Sequence, residues 1–145
     1  MRRLLIAVVL VAAAPALLGA HVTIWPRESA PGTSERYTVR VPTEGKVATT
    51  SVRLVVPTEV TVTSVLAMPG VVADIAREGN RITAVTWKFE VPPGQFAEFA
   101  FLARNPKQGS EIVWKVHQHY SDGTQSDWTG PPSKGPAPVT TLVAK

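Results

Sequence analysis

An all-β fold, built as a two-sheet Greek-key sandwich, is what three features of this 145-residue sequence predict. Apolar and polar residues alternate along a series of short runs, the period-two signature of strands with one buried and one wet face. Turn dipeptides fall between those runs. Beyond residue 20, no window carries apolar residues at a 3.6-residue period. Short strands spaced about 8–12 residues apart describe a sandwich or barrel of roughly seven to nine strands.

The runs follow in order. Residues 22–25 are apolar and β-branched and stop at Pro26. Tyr37, Val39 and Val41 alternate with Thr38 and Arg40 up to Pro42. Val52, Leu54 and Val56 alternate with Arg53 and Val55 up to Pro57. Val60, Val62 and Val65 continue to Pro69-Gly70. Val85, Trp87 and Phe89 share a face, with Thr86 and Lys88 opposite. Phe99 and Phe101 flank Ala100 and end at Arg104-Asn105-Pro106. Trp114, Val116, Gln118 and Tyr120 alternate with Lys115, His117 and His119. Gly79-Asn80, Pro93-Gly94 and Asp122-Gly123 are turn dipeptides, and the last predicts a tight hairpin into the segment ending at Trp128. Residues 130–138 read as irregular, and 139–143 as a last edge strand.

The start of the chain has a different character. Arg2 and Arg3 precede an apolar run over 4–14, Pro15 interrupts it, and small residues lead to Gly19-Ala20. A basic head, an apolar middle and a small-residue exit describe a secretory signal peptide, slightly short of the ~20 apolar residues of a membrane span. Cleavage after Ala20 is favoured, with Ala16 the rival. It leaves a single domain over 21–145 beginning His21-Val22-Thr23, exported to the periplasm or secreted.

Composition narrows the chemistry. There is no cysteine, so stability must come from the core and any metal site must use nitrogen and oxygen. The formal net charge of +4 includes Arg2 and Arg3, and the remaining charges are interspersed. No basic stripe implies nucleic acid. After Ala20 no apolar stretch approaches spanning length. No nucleophile elbow, phosphate-binding loop or His-Glu-x-x-His motif is present, so hydrolase chemistry has no foothold.

His21 is distinctive if it opens the mature chain. An α-amine, with a reference pKa of ~7.7–8.0, and the imidazole of the same residue can then chelate one ion. Cu(II), which takes tetragonal nitrogen and oxygen ligands, suits such a pair. A histidine landing there by chance is the alternative. His117 and His119 lie two apart on one strand face. They read as solvated histidines more readily than as a metal pair. Trp87 and Trp114 belong to the core, and Trp25 to core or rim. Trp128 either caps one end of the sandwich or serves a site there. Glu35, at a strand start, reads as a solvated strand end or as a carboxylate of a site at the sandwich end.

The ordered set His21-Val22-Thr23 with Pro26, 32–35 leading into 37–42, Ala48-Thr49-Thr50, Val85-Thr86-Trp87, Gly94-Gln95-Phe96 with Phe99 and Phe101, Asn105-Pro106, 120–123 and 128–131 spans nearly all of the chain past residue 20. In this it resembles the YcnI-like family of bacterial copper-binding proteins. The resemblance implies a cupredoxin-like or immunoglobulin-like sandwich holding one Cu(II) per chain in a brace made by a single N-terminal histidine. Carried over by motif, the metal ligands are His21 and Glu35, and Trp128 packs beside the ion as a shield. It further implies cleavage after Ala20 and a copper-handling role, such as a chaperone, alongside other exported copper proteins, without enzymatic turnover. Many relatives carry a C-terminal hydrophobic anchor, and this sequence ends at Lys145 without one.

Two other functions compete. A copper oxygenase resembling lytic polysaccharide monooxygenases would need a second histidine at the chelate, a role neither His117 nor His119 obviously fills. A metal-free interaction module is what the sandwich alone would allow.

Overall fold

The structure, a computed structural model, describes residues 21–144; the signal peptide read from 1–20 lies outside the described residues. Twelve strands form among them: β1 (Thr23–Trp25), β2 (Glu28–Ser29), β3 (Ser34–Pro42), β4 (Thr49–Val55), β5 (Thr61–Val65), β6 (Val72–Glu78), β7 (Arg81–Val91), β8 (Phe96–Arg104), β9 (Glu111–Val113), β10 (Lys115–Tyr120), β11 (Gln125–Trp128) and β12 (Val139–Leu142). One sheet has the order β1-β3-β8-β5, and a second β11-β10-β4-β7-β6. Every pairing in these two sheets is antiparallel. A small third sheet, β2-β12-β9, closes one side. The chain crosses between the two large sheets after β3, β4, β5, β7 and β8, which is what makes them faces of one sandwich.

Alternation puts the right residues between the sheets. Tyr37, Val39 and Val41 of β3, Val52 and Leu54 of β4, Val85 and Trp87 of β7 and Phe99 and Phe101 of β8 are buried in one continuous core. Its aromatic centre is ordered: Trp114 meets Tyr37 and Phe101 edge-on, with centroids 5.0 and 5.7 Å away. Trp87 stacks on Phe99 at 5.3 Å. Such pairings add to plain area burial because ring edges and faces carry opposite partial charge. Trp25 lies on the outer face, 40% exposed, under the guanidinium of Arg27 at 4.7 Å.

The strand count exceeds the seven to nine expected, for two reasons. β6 is exposed along nearly its whole length, so its sequence has no buried face to alternate. β2 and β9 are only two and three residues long and exist to hold β12. Elsewhere the turn reading holds. The Asp122-Gly123 hairpin closes with Gly123 at φ 83° and with Asp122 Oδ1 accepting from the Thr124 amide and hydroxyl, bonds that hold the Asp122 carboxyl below its usual range. Among the described residues, no helix is long and apolar enough to cross a membrane.

Candidate functional site at the His21 end of the sandwich

Three elements converge beside His21. The residue sits two positions before β1 and is exposed. Its ring lies 5.3 Å from that of Trp128, tilted by 50°. Trp128 ends β11 opposite Val116 of β10, so its side chain shares the inner face with Val116 and Gln118. The third element is the end of β3. β1 pairs with β3 so that Thr23 faces Arg40 and Trp25 faces Thr38; continuing that register brings His21 alongside Pro42.

A buried polar network fixes this end. Gln118 is 1% exposed, a rare place for an amide, and all its bonds are accounted for. Its Nε2 donates to the Pro42 carbonyl at 2.9 Å and to Thr49 Oγ1 at 2.7 Å. Its Oε1 accepts the indole N–H of Trp128 at 3.1 Å. The hydroxyls of Thr43 and Thr49, both buried, share a further bond at 2.7 Å. One amide therefore ties the end of β3, the start of β4 and the Trp128 ring together. The indole N–H is used up on Gln118, so what Trp128 turns toward His21 is ring surface.

Residues 130–138 wall the other side. A pocket beside His21 is lined by Thr23, Arg27, Pro136 and Pro138. The loop holds its shape through backbone bonds from Gly130 to Gly135 and from Ala137 back to Gly130. Gly135 is at φ 54°, and a Cβ there would strike the Asp127 carbonyl. This segment is irregular, as the sequence suggests, with 131–134 exposed and Pro138 buried.

The structure does not bring Glu35, the carboxylate that the family resemblance implies, alongside His21. Glu35 lies near the start of β3, opposite Ala103, whereas His21 is level with the end of that strand. Seven residues of strand separate Glu35 from Pro42, roughly 23 Å at ~3.3 Å per residue. The reason is elementary: β1 and β3 are antiparallel, so the residues that open them stand at opposite ends. Glu35 instead completes a second network. Its Oε2 accepts from Ser29 Oγ at 2.7 Å, Ser29 Oγ accepts from Asn105 Nδ2 at 2.8 Å, and Asn105 Oδ1 accepts from the Tyr37 hydroxyl at 2.7 Å. Burial pushes the Tyr37 hydroxyl pKa above its usual value. Glu35→Ala leaves the Ser29 hydroxyl without its acceptor, and is expected to cost about 1–2 kcal/mol, read as a lower urea midpoint with unchanged slope.

The carboxylate that does lie at the His21 end is Glu44. It follows Thr43 directly, two residues past Pro42, and is exposed. Sequence reasoning passed over it, although the antiparallel rule applied to the first two long runs points to the Pro42 end of β3. Among the described residues, no three His, Cys, Asp or Glu side chains converge closely enough to hold an ion.

His117 and His119 are elsewhere. They project from the face of β10 opposite to Gln118, half-buried rather than fully solvated.

Comparison with known proteins bears on the fold and the family. Residues 21–142 match a domain of unknown function, DUF1775. Over 114 residues the chain is 37% identical to the copper-binding protein CutI of Bacillus subtilis (strain 168), covering 77% of this chain and 56% of that protein. The chain thus spans about half the length of this curated relative. A solved structure from Nocardia farcinica, described as having an immunoglobulin-like fold, matches with a TM-score of 0.74 at 31% identity, covering 86% of this chain and 99% of that one. The fold is therefore the immunoglobulin-like member of the pair that the sequence left open. With its match running from the site histidine to the last strand, the chain belongs to the YcnI-like, DUF1775 family.

Proposed function

We propose that this chain binds one Cu(II) ion outside the cytoplasm, as a copper-handling protein without turnover of its own. Residues 1–20 direct export in this reading, and removal after Ala20 turns the His21 nitrogen from an amide into a primary amine. The observation that carries the proposal is the juxtaposition of His21 with the face of Trp128 at the strand end that also bears Glu44. The amine and imidazole of His21 supply two nitrogens, and Glu44 supplies an oxygen that offsets part of the ion's charge. This set suits Cu(II), which favours nitrogen and oxygen in a tetragonal plane. Trp128 covers one side of the ion, restricting water and redox partners. The 37% identity to a relative named as copper-binding supports the choice of ion.

An exposed site with few protein ligands suits release to another exported protein better than retention. The oxygenase reading lacks a second histidine, because His117 and His119 stand on the face of β10 opposite to Gln118.

Glu44→Gln tests the ligand set. It keeps the side chain's size but removes the charge, and is expected to weaken Cu(II) binding by ~10–100-fold, the range that supporting groups around metals command. Glu35→Gln is expected to leave that affinity unchanged. Equilibrium dialysis of chains beginning at His21 reads both; the reverse pattern would reinstate Glu35 and overturn the site.

A further inference from the structure

The outer face of β10 carries a second cluster that the Cu(II) site does not use. We propose that His117 and His119 form a weaker, separate binding site for a divalent transition-metal ion, with Asp127 orienting the His117 ring. The two histidines alternate with Val116 and Gln118, so both stand on the face away from the core. Across the strand pair, His117 is directly opposite Asp127, and His119 opposite Gln125.

The pairing is specific. His117 Nδ1 lies 2.6 Å from Asp127 Oδ1, and Gln125 Nε2 donates to the same oxygen at 2.5 Å. The Asp127 carboxylate accepts a hydrogen bond from Nδ1–H, which leaves the Nε2 lone pair of His117 for a ligand. Histidines that bind metals almost always have such a carboxylate or carbonyl behind the ring, because it fixes the tautomer and makes the far nitrogen more basic. His119 adds an independent sign: its Nδ1 is buried with no hydrogen-bond partner.

The geometry is feasible for one ion. Residues two apart on a strand have Cα atoms about 6.6 Å apart. Metal–nitrogen bonds of ~2.0–2.1 Å require the two donor atoms to approach within roughly 4 Å. Both rings must lean toward each other, a change of side-chain torsions only. Two imidazoles, with water completing the shell, suit Cu(II), Ni(II) or Zn(II). No third protein ligand converges among the described residues, so the site should be the weaker of the two and quick to exchange.

This inference does not depend on where the chain begins, so it can fail or stand apart from the His21 site. Titrating the chain with Cu(II), followed by loss of backbone amide NMR signals near the paramagnetic ion, is expected to show two phases. Because Trp128 of β11 lies against His21, the later one is read in the His21→Ala chain, where it should broaden β10 and β11 on its own. His21→Ala should abolish the earlier phase alone. His117→Ala and His119→Ala should each abolish the later phase alone, and Asp127→Asn should raise the Cu(II) concentration it needs by ~10–100-fold. If, in the His21→Ala chain, β10 stays sharp with Cu(II) in excess, or broadens equally when both histidines are also replaced, the proposal is overturned and the His117–Asp127 contact is a surface ion pair only.

Discussion

Adding four alanines ahead of His21, enough to keep the new terminal amine from chelating together with the imidazole, is expected to abolish tight Cu(II) binding while leaving the fold unchanged. The extension converts a primary amine into a peptide nitrogen, which has no lone pair to offer without losing its own proton. The chelate then collapses to a single imidazole with Glu44, and the ion must be held by groups that were not preorganised together. An affinity loss of more than ~100-fold follows, about 2.7 kcal/mol or more. Stability without metal should move by less than about 0.5 kcal/mol, because His21 is exposed and precedes the first strand. Thermal melts give a second reading. A ligand present at ~100 times its Kd stabilises the folded state by about 2.7 kcal/mol, so added Cu(II) should raise the Tm of the chain beginning at His21. The extended chain should melt at one temperature with or without it. Equal affinity in both forms would mean that the amine is not a ligand.

How far the sequence revealed this arrangement depended on burial. Strands with one face in the core announce themselves, because each second residue must be apolar; β3, β4, β7 and β10 are such strands. β6 has no such constraint, since it covers an edge and keeps Val72 and Ile75 exposed. The site was legible in its residue types more than in its geometry. His21 and Trp128 each stood out, one by position and one by its turn-rich context. Choosing the carboxylate required knowing that β1 lies antiparallel to β3, and with that pairing the choice moves from Glu35 to Glu44. Gln118 was visible as a polar residue in a buried register. Its partners at Pro42 and Thr49 lie 76 and 69 residues away in the chain, which no local pattern could disclose, whereas Trp128 sits on the neighbouring hairpin strand.

Gln118→Leu is expected to be the most damaging single change to this end of the molecule, although Gln118 touches no ion. Leucine fits the inner face by size and polarity, so the apolar core loses little. The cost lies in what is left behind: the Pro42 carbonyl and the Thr49 hydroxyl lose a donor, and the Trp128 indole N–H loses its acceptor. Each stranded buried group costs about 1–3 kcal/mol. Thr49 keeps Thr43 as a partner, and the half-buried Trp128 can reach water, so a total near 3 kcal/mol is the better figure. For a domain of this size that lowers the Tm by roughly 10 °C. The second consequence is functional. Without its anchor the Trp128 ring is free to leave His21, and Cu(II) affinity should fall by ~10–100-fold, as when other groups that support metal ligands are lost. Thr49→Val separates the two effects. It breaks one arm of the network, costs about 1–2 kcal/mol, and leaves the bond between Gln118 and Trp128 in place. Calorimetry and Cu(II) titration of both variants should therefore show stability falling in each, but affinity falling only in Gln118→Leu. Were affinity to follow stability in both, the Trp128 ring would have no separate part in holding the ion.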